Sequence, residues 1–303
     1  MLLITVENSF AIAPDPSIRE VFLPPHFPHW FMVLQEIPSQ SKIVLFLLIW
    51  LTLWLPISLL LGKSLHWKPF QPLEAEQKIP LLVPLYLLVP CLGWLTIAIE
   101  GTSLSDYGLS WQGNTLISLC IGVLLGLGGL GVVFAIEGGL GWLEWDSENL
   151  KQLGKVAAPI FGLAIWIALN EEFVFRGIFQ TILEQDYDPW VSAIIVSSIF
   201  ALVHLLWERQ TTIPQLPGLW LMGMVLVVAR WTDGGSIWLA AGLHAGWVWG
   251  LASLDAAQMI SYTAEGKDWI IGIYQQPLAG IMGIFCLLGT GSLLWFWQCD
   301  SLS

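Results

Sequence analysis

The chain has 303 residues, of which 56% are hydrophobic and only 11% are charged, and its net charge is −12. An ordinary soluble domain has about 25% charged residues, so this composition indicates a multi-pass protein embedded in a lipid bilayer. No basic patch is available to neutralise phosphates, which argues against nucleic acid as a partner.

Apolar stretches long enough to cross a bilayer predict an all-α, multi-pass transmembrane bundle of about eight helices. They lie at about 43–62, 79–99, 115–136, 157–183, 190–207, 218–231, 236–254 and 278–297. Pro84 and Pro90 are expected to kink the second span. Residues 232–235 form a turn signal, which predicts that the sixth and seventh spans are antiparallel neighbours.

Basic residues near the spans predict the orientation of the bundle, because Lys and Arg favour the cytoplasmic side. They fall in the odd-numbered loops and are missing from loops two and four. The residues are Lys63, Lys68, Lys78, Lys151, Lys155, Arg209 and Lys267. We therefore expect both termini outside and the odd-numbered loops in the cytoplasm.

The third span contains a GxGxxG pattern at 126–131, which elsewhere marks a dinucleotide site. That site needs a preceding strand, and a long apolar stretch provides none. Gly122 and Gly126 have the GxxxG spacing that brings membrane helices close together. We interpret these glycines as helix packing residues.

The fourth span places Glu171, Glu172 and Arg176 inside an apolar run. Each such charge costs about 2.5–3.5 kcal/mol at the bilayer centre, so the group needs mutual pairing or a chemical role. Glu172 and Arg176 are four residues apart on one helix face and can pair. Glu171 is rotated by about 100° from its neighbour and is available for another role.

Two of the five histidines, His204 and His244, lie in later spans of the same half of the chain. A carboxylate can take a proton from water, and imidazoles can hold that water and donate to a developing oxyanion. These side chains are sufficient for amide hydrolysis.

The set of Glu171-Glu172-x-x-x-Arg176, Phe200-x-x-x-His204 and His244 resembles the CPBP family of intramembrane glutamic endopeptidases, which includes the CAAX prenyl proteases and the ABI proteins. The resemblance covers roughly residues 157–254. Together with the apolar stretches it leads us to predict four parts: an N-terminal extramembrane region, N-terminal transmembrane helices, a catalytic core, and a loop with a C-terminal transmembrane helix. Their predicted bounds are 1–42, 43–155, 156–254 and 255–303.

The resemblance also implies residue roles. Glu171 would be the general base, His204 would position the water, and His244 would donate to the oxyanion. The site would be supported by Glu172, Arg176, Phe200 and Trp247. No cofactor is implied, and the substrate would be a peptide or membrane protein, prenylated in part of the family.

One position departs from the family pattern. Family members carry Asn or Asp four residues after the third-motif histidine, whereas this chain has Val248, which cannot donate a hydrogen bond. The indole N–H of Trp247 or Trp249 could replace the missing donor.

Three alternatives stay open. Two His and two Glu could hold zinc, although there is no HExxH and Arg176 would compete for the carboxylates. A family member without the Asn or Asp could act as a membrane scaffold or chaperone. A transporter could use the same charges as a proton pathway.

The expected location is the cell membrane, with the site opening toward the cytoplasm.

Overall fold

The structure is a computed structural model that describes residues 29–67, 75–206 and 209–301. Most of the predicted N-terminal extramembrane region at 1–42 lies outside the described residues, and so does Lys68 of the orientation prediction. The four-part division of the chain stays a prediction.

The described residues are almost entirely helical. The α-helices are α1 (His29–Glu36), α2 (Ser39–Ser64), α3 (Ala75–Leu87), α4 (Val89–Glu100), α5 (Thr115–Gly139), α6 (Leu150–Glu172), α7 (Gln180–Leu183), α8 (Pro189–Val203), α9 (Arg209–Thr212), α10 (Leu216–Thr232), α11 (Trp238–Ala256), α12 (Asp268–Ile271) and α13 (Ile281–Ser301). A π-helix (Phe173–Phe179) joins α6 to α7, and short 3-10 turns lie between several helices. The strands β1 (Leu143–Trp145) and β2 (Ile260–Tyr262) pair antiparallel outside the spans.

Seven stretches in the described part of the chain are long and apolar enough to cross a membrane, so the predicted all-α multi-pass bundle is confirmed. They are Ser39–Ser64, Gln77–Glu100, Thr115–Gly139, Ser147–Leu183, Pro189–Leu206, Arg209–Thr232 and Ile281–Cys299. The fourth begins ten residues before its predicted start. There, Asp146 accepts a hydrogen bond from the backbone N–H of Glu148 at 3.0 Å and caps the first turn.

The predicted eighth span, α11, is a helix but is not among the seven. Every residue from Trp238 to Trp247 is buried, and α11 packs against α5, α6 and α10. Membrane helices that pack among other helices are enriched in small residues, and their polar side chains face the bundle interior. This enclosure accounts for its content of Gly, Ala and His.

The predicted kink in the second span falls at a one-residue break in its helix, at Leu88. Helix α3 ends at Leu87 and α4 begins at Val89, with Pro84 inside α3 and Pro90 in the first turn of α4. Proline removes a backbone N–H donor and disrupts the helical hydrogen-bond ladder. The second span, Gln77–Glu100, therefore contains two helical segments that meet at Leu88.

The predicted glycine packing is also confirmed. A Cβ added to Gly122 would lie 2.4 Å from the carbonyl oxygen of Leu239, and one added to Gly242 would lie 2.1 Å from that of Leu119. Gly126 faces α11 in the same way. Because these contacts are backbone to backbone, α5 fixes the position of α11.

The turn between α10 and α11 brings these helices together as predicted. Gly234 and Gly235 have φ values of +62° and +89°, which glycine adopts at little cost. Asp233 accepts a hydrogen bond from the hydroxyl of Ser118 at 2.7 Å. This bond ties the turn to α5.

Candidate active site

The two adjacent glutamates end α6, and the chain continues from them directly into the π-helix that contains Arg176. π-Helices are well under 1% of residues in globular proteins and occur frequently at functional sites. All seven residues of this one are buried.

Glu172 is the centre of a buried hydrogen-bond network. Its Oε1 accepts from Arg176 Nη1 at 3.0 Å and from His244 Nδ1 at 2.8 Å. Arg176 Nη2 also donates to the carbonyl oxygen of Gly223 on α10 at 3.1 Å. The predicted pairing of Glu172 with Arg176 is confirmed, and the same carboxylate orients His244.

Glu171 has one engaged and one open carboxylate oxygen. The hydroxyl of Tyr86, on α3, donates to Oε1. Oε2 lies 3.8 Å from His244 Nε2 and has no hydrogen-bond partner among the described residues. The open oxygen and the imidazole therefore face each other across a gap too long for a direct hydrogen bond.

Phe200 lies between the charged cluster and His204. Its ring centroid is 4.4 Å from Arg176 Cζ, 4.7 Å from the His204 ring and 6.1 Å from the His244 ring. His204 Nδ1 lies 2.7 Å from the Phe200 carbonyl oxygen. Because a carbonyl only accepts, Nδ1 carries the hydrogen, and in a neutral imidazole Nε2 then has the lone pair.

Glu171 lies well inside its span, whereas His204 lies two residues before the end of its own span, Pro189–Leu206. At about 1.5 Å per residue, Glu171 lies about 18 Å from Leu183, and His204 about 22 Å from Pro189. Leu183 and Pro189 are the neighbouring ends of these two spans. In a hydrocarbon core of about 30 Å, His204 is therefore nearer the opposite face.

A cavity of about 800 Å³ reaches His204 from that face. Leu82 and Leu251 also line it, and they lie on the helices that carry Tyr86 and His244. Residues near the odd-numbered loops complete the wall, among them Lys78, Asn149, Thr211, Gln258 and Gln276. The cavity opens on the side that the basic residues predict to be cytoplasmic.

The region after His244 offers few donors to a substrate. Val248 has no polar atom, and the Trp249 indole donates to the carbonyl oxygen of Ala157 at 2.8 Å. The Trp249 N–H is therefore already engaged by a backbone carbonyl on α6, which argues against its suggested role as a replacement donor. Trp247 is buried in the hydrophobic core.

Tyr86 was not predicted from the sequence, because it is uncharged and lies in the first half of the chain, apart from the glutamates and histidines. One signal was present. Tyr86 is one of five tyrosines in the whole chain and lies in an apolar span between Pro84 and Pro90. A hydroxyl at membrane depth needs a partner, so it could have been included among candidate site residues.

No group of three or more potential metal-ligating side chains converges within the described ranges. The four cysteines are unpaired thiols: Cys91 lies on α4, Cys120 on α5, and Cys286 and Cys299 on α13. Independence from metal stays a prediction.

Comparison with known proteins identifies the segment that contains these charges. Residues 154–250 match the family model described as "Type II CAAX prenyl endopeptidase Rce1-like", which confirms the predicted family resemblance. The chain is also 27% identical over 134 residues to an uncharacterized 24.3 kDa protein of Escherichia coli. That match covers 44% of this chain and 58% of the relative. No solved structure matches the chain.

Proposed function

We propose that this protein is an intramembrane endopeptidase in which Glu171 activates the attacking water. We base this proposal on residues 154–250, which match the Rce1-like family model and are called the Rce1-like segment below. The observation that carries the proposal is the arrangement of the Glu171 carboxylate. One oxygen is held by Tyr86, and the other is open and faces His244.

In the proposed reaction, Glu171 Oε2 takes a proton from water as the water oxygen bonds to the carbonyl carbon of the scissile peptide. The carbonyl π electrons move to the oxygen and form an oxyanion. As the intermediate collapses, the C–N bond breaks and the leaving nitrogen takes the proton from Glu171. Each step uses a side chain of this protein as base or acid.

In this proposal His244 stabilises the oxyanion through Nε2, because Nδ1 is engaged by Glu172 at 2.8 Å. Donation from both nitrogens at once requires a proton on each. With His244 protonated on both nitrogens, the formal charges of the four side chains sum to zero, which suits a buried cluster. The four are Glu171, Glu172, Arg176 and His244. Glu172 and Arg176 act as positioning residues.

His204 is the proposed water-positioning residue. Its Nδ1–H is donated to Phe200, so Nε2 can accept a hydrogen bond from a water molecule that enters through the cavity. We further propose that this entrance faces the cytoplasm of the cell and admits a peptide segment of a protein at the membrane surface, prenylated or not.

The experiment compares protein termini in cells that express the wild-type chain or single variants. Glu171→Ala, His204→Ala and His244→Ala are expected to remove at least one terminus that the wild type produces. The matched control is Glu137→Ala, because Glu137 is a buried glutamate on α5, outside the described network. The same termini in cells with Glu171→Ala would contradict the proposal.

Metal independence is tested on the same cleavage. Activity of the purified protein is expected to survive a strong chelator such as EDTA or 1,10-phenanthroline. Loss of activity that returns on adding zinc would favour the alternative in which Glu and His side chains bind the metal.

A scaffold is the second candidate, and Val248 is the observation that favours it. Loss of one oxyanion donor lowers turnover by about 10²–10³-fold in other hydrolases. A scaffold would produce no Glu171-dependent terminus, and its cellular effect would persist in all three variants.

A further inference from the structure

We propose that Tyr86 is a catalytic residue whose hydroxyl supplies the oxyanion donor that Val248 cannot. This inference rests on the proposed function and extends it to a helix outside the Rce1-like segment. It predicts that the N-terminal helices contribute a catalytic side chain to the active site, in addition to packing against the helices that form it.

The position of the hydroxyl is the first observation. Tyr86 is 5% exposed and donates to Glu171 Oε1, while His244 Nε2 lies 3.8 Å from Oε2. Two hydrogen-bond donors therefore lie on either side of one carboxylate. A carbonyl attacked by water held at this carboxylate lies beside both donors.

The rigidity of the hydroxyl is the second observation. The Tyr86 ring packs edge-on against Trp166, with centroids 5.4 Å apart. The helix that carries Tyr86 is also held from α2: Trp50 donates its indole N–H to the Leu85 carbonyl at 2.8 Å, and Trp54 donates to that of Leu81 at 3.1 Å. A ring fixed in advance limits the reorganisation in the transition state to rotation of the Tyr86 O–H bond.

The movement of charge supplies the mechanism. Before the reaction, the Tyr86 hydroxyl donates to the Glu171 carboxylate. When Glu171 takes the proton from water, its negative charge disappears and an oxyanion forms on the neighbouring carbonyl. Hydrogen bonds to charged acceptors are about twice as strong as neutral ones, so the hydroxyl rotates from the neutral acid to the oxyanion. No proton leaves Tyr86.

The test uses a quenched fluorescent peptide that copies the sequence around a Glu171-dependent terminus, with purified full-length protein in detergent micelles. Tyr86→Phe is expected to lower kcat by about 10²–10³-fold with little change in KM. Adding Val248→Asn to that variant is expected to recover at least about tenfold of the loss. The control is Tyr107→Phe, because Tyr107 is a buried tyrosine whose hydroxyl meets Thr102 at 3.0 Å.

A second measurement separates donation to the oxyanion from a merely structural role. A phosphonamidate analogue of the same peptide mimics the tetrahedral intermediate, and its affinity is expected to fall in Tyr86→Phe in parallel with kcat/KM. An unchanged kcat, unchanged analogue binding, or no recovery with Val248→Asn would overturn the inference. If Glu171→Gln cleaves the peptide as well as wild type, the proposed function fails. If Glu171→Gln is inactive and Tyr86→Phe is fully active, only this inference fails.

Discussion

The N-terminal helices and the Rce1-like segment each bury a glutamate, and the two carboxylates have different surroundings. Glu137, near the end of α5, is 1% exposed, and neither of its oxygens has a hydrogen-bond partner in the described part of the chain. Glu171 is 8% exposed, with Tyr86 on one oxygen and His244 near the other. Burial alone therefore does not identify a base. The distinguishing feature is a set of partners that holds one oxygen and leaves the other open.

The two regions also differ in what they contribute to the site. The Rce1-like segment carries the glutamates, the guanidinium and both histidines. The N-terminal helices contribute the Tyr86 hydroxyl and a glycine-lined surface that fixes α11. One region supplies the charged groups, and the other holds them in place and adds one polar group.

The largest expected effect is that of Glu172→Ala, which removes a carboxylate that two buried groups share. Arg176 loses its charged partner and His244 loses the acceptor at Nδ1. Breaking a buried ion pair typically costs about 3–5 kcal/mol, so thermal unfolding in detergent should show a loss of that size. Turnover should fall by at least about 10²-fold.

Glu137→Ala is the matched variant for this comparison, because neither oxygen of that glutamate has a hydrogen-bond partner among the described residues. Its unfolding free energy should change by less than about 1 kcal/mol, since no partner is left unpaired. Equal losses of unfolding free energy in the two variants would contradict this prediction. They would show that the hydrogen bonds around Glu172 do not contribute to stability.

A smaller effect is expected from Gly242→Ala, at the contact between the two regions. Its Cβ would lie 2.1 Å from the backbone oxygen of Leu119, so α5 and α11 must separate. Overpacking of this kind costs about 1–3 kcal/mol. Because α11 carries His244, kcat should fall as well.

Gly128→Ala on α5 is the control, because nothing lies within 4 Å of a Cβ at that position. It should leave the unfolding midpoint unchanged or raise it, since Ala is about 1 kcal/mol better than Gly in a helix. If Gly242→Ala behaves in the same way, the close helix contact does not hold His244 in place.

The smallest effect is expected from Trp249→Phe. The variant loses one hydrogen bond to the Ala157 carbonyl but retains an aromatic ring against Phe161. Stability should fall by about 1 kcal/mol, with kcat unchanged because this N–H is already engaged. A large loss of turnover at unchanged stability would make Trp249 an oxyanion donor after all.

Much of the site could be predicted from local patterns. Glu172 and Arg176 pair because residues four apart share a helix face, and Gly122 and Gly126 permit a close helix contact because they lack Cβ atoms. The turn at 232–235 could be predicted because Gly234 and Gly235 adopt positive φ values at little cost. Each of these features depends on spacing within one helix or one loop.

The chain's amino-acid order by itself determined a helical membrane bundle, the charges in its fourth span and the two later histidines, because hydropathy and helical periodicity are local properties. Only the tertiary structure decided that α11 is enclosed, that His244 rests on Glu172, and that Tyr86 reaches Glu171 from 85 residues away. These contacts join helices distant in sequence, and spacing along one helix does not specify which faces of different helices meet.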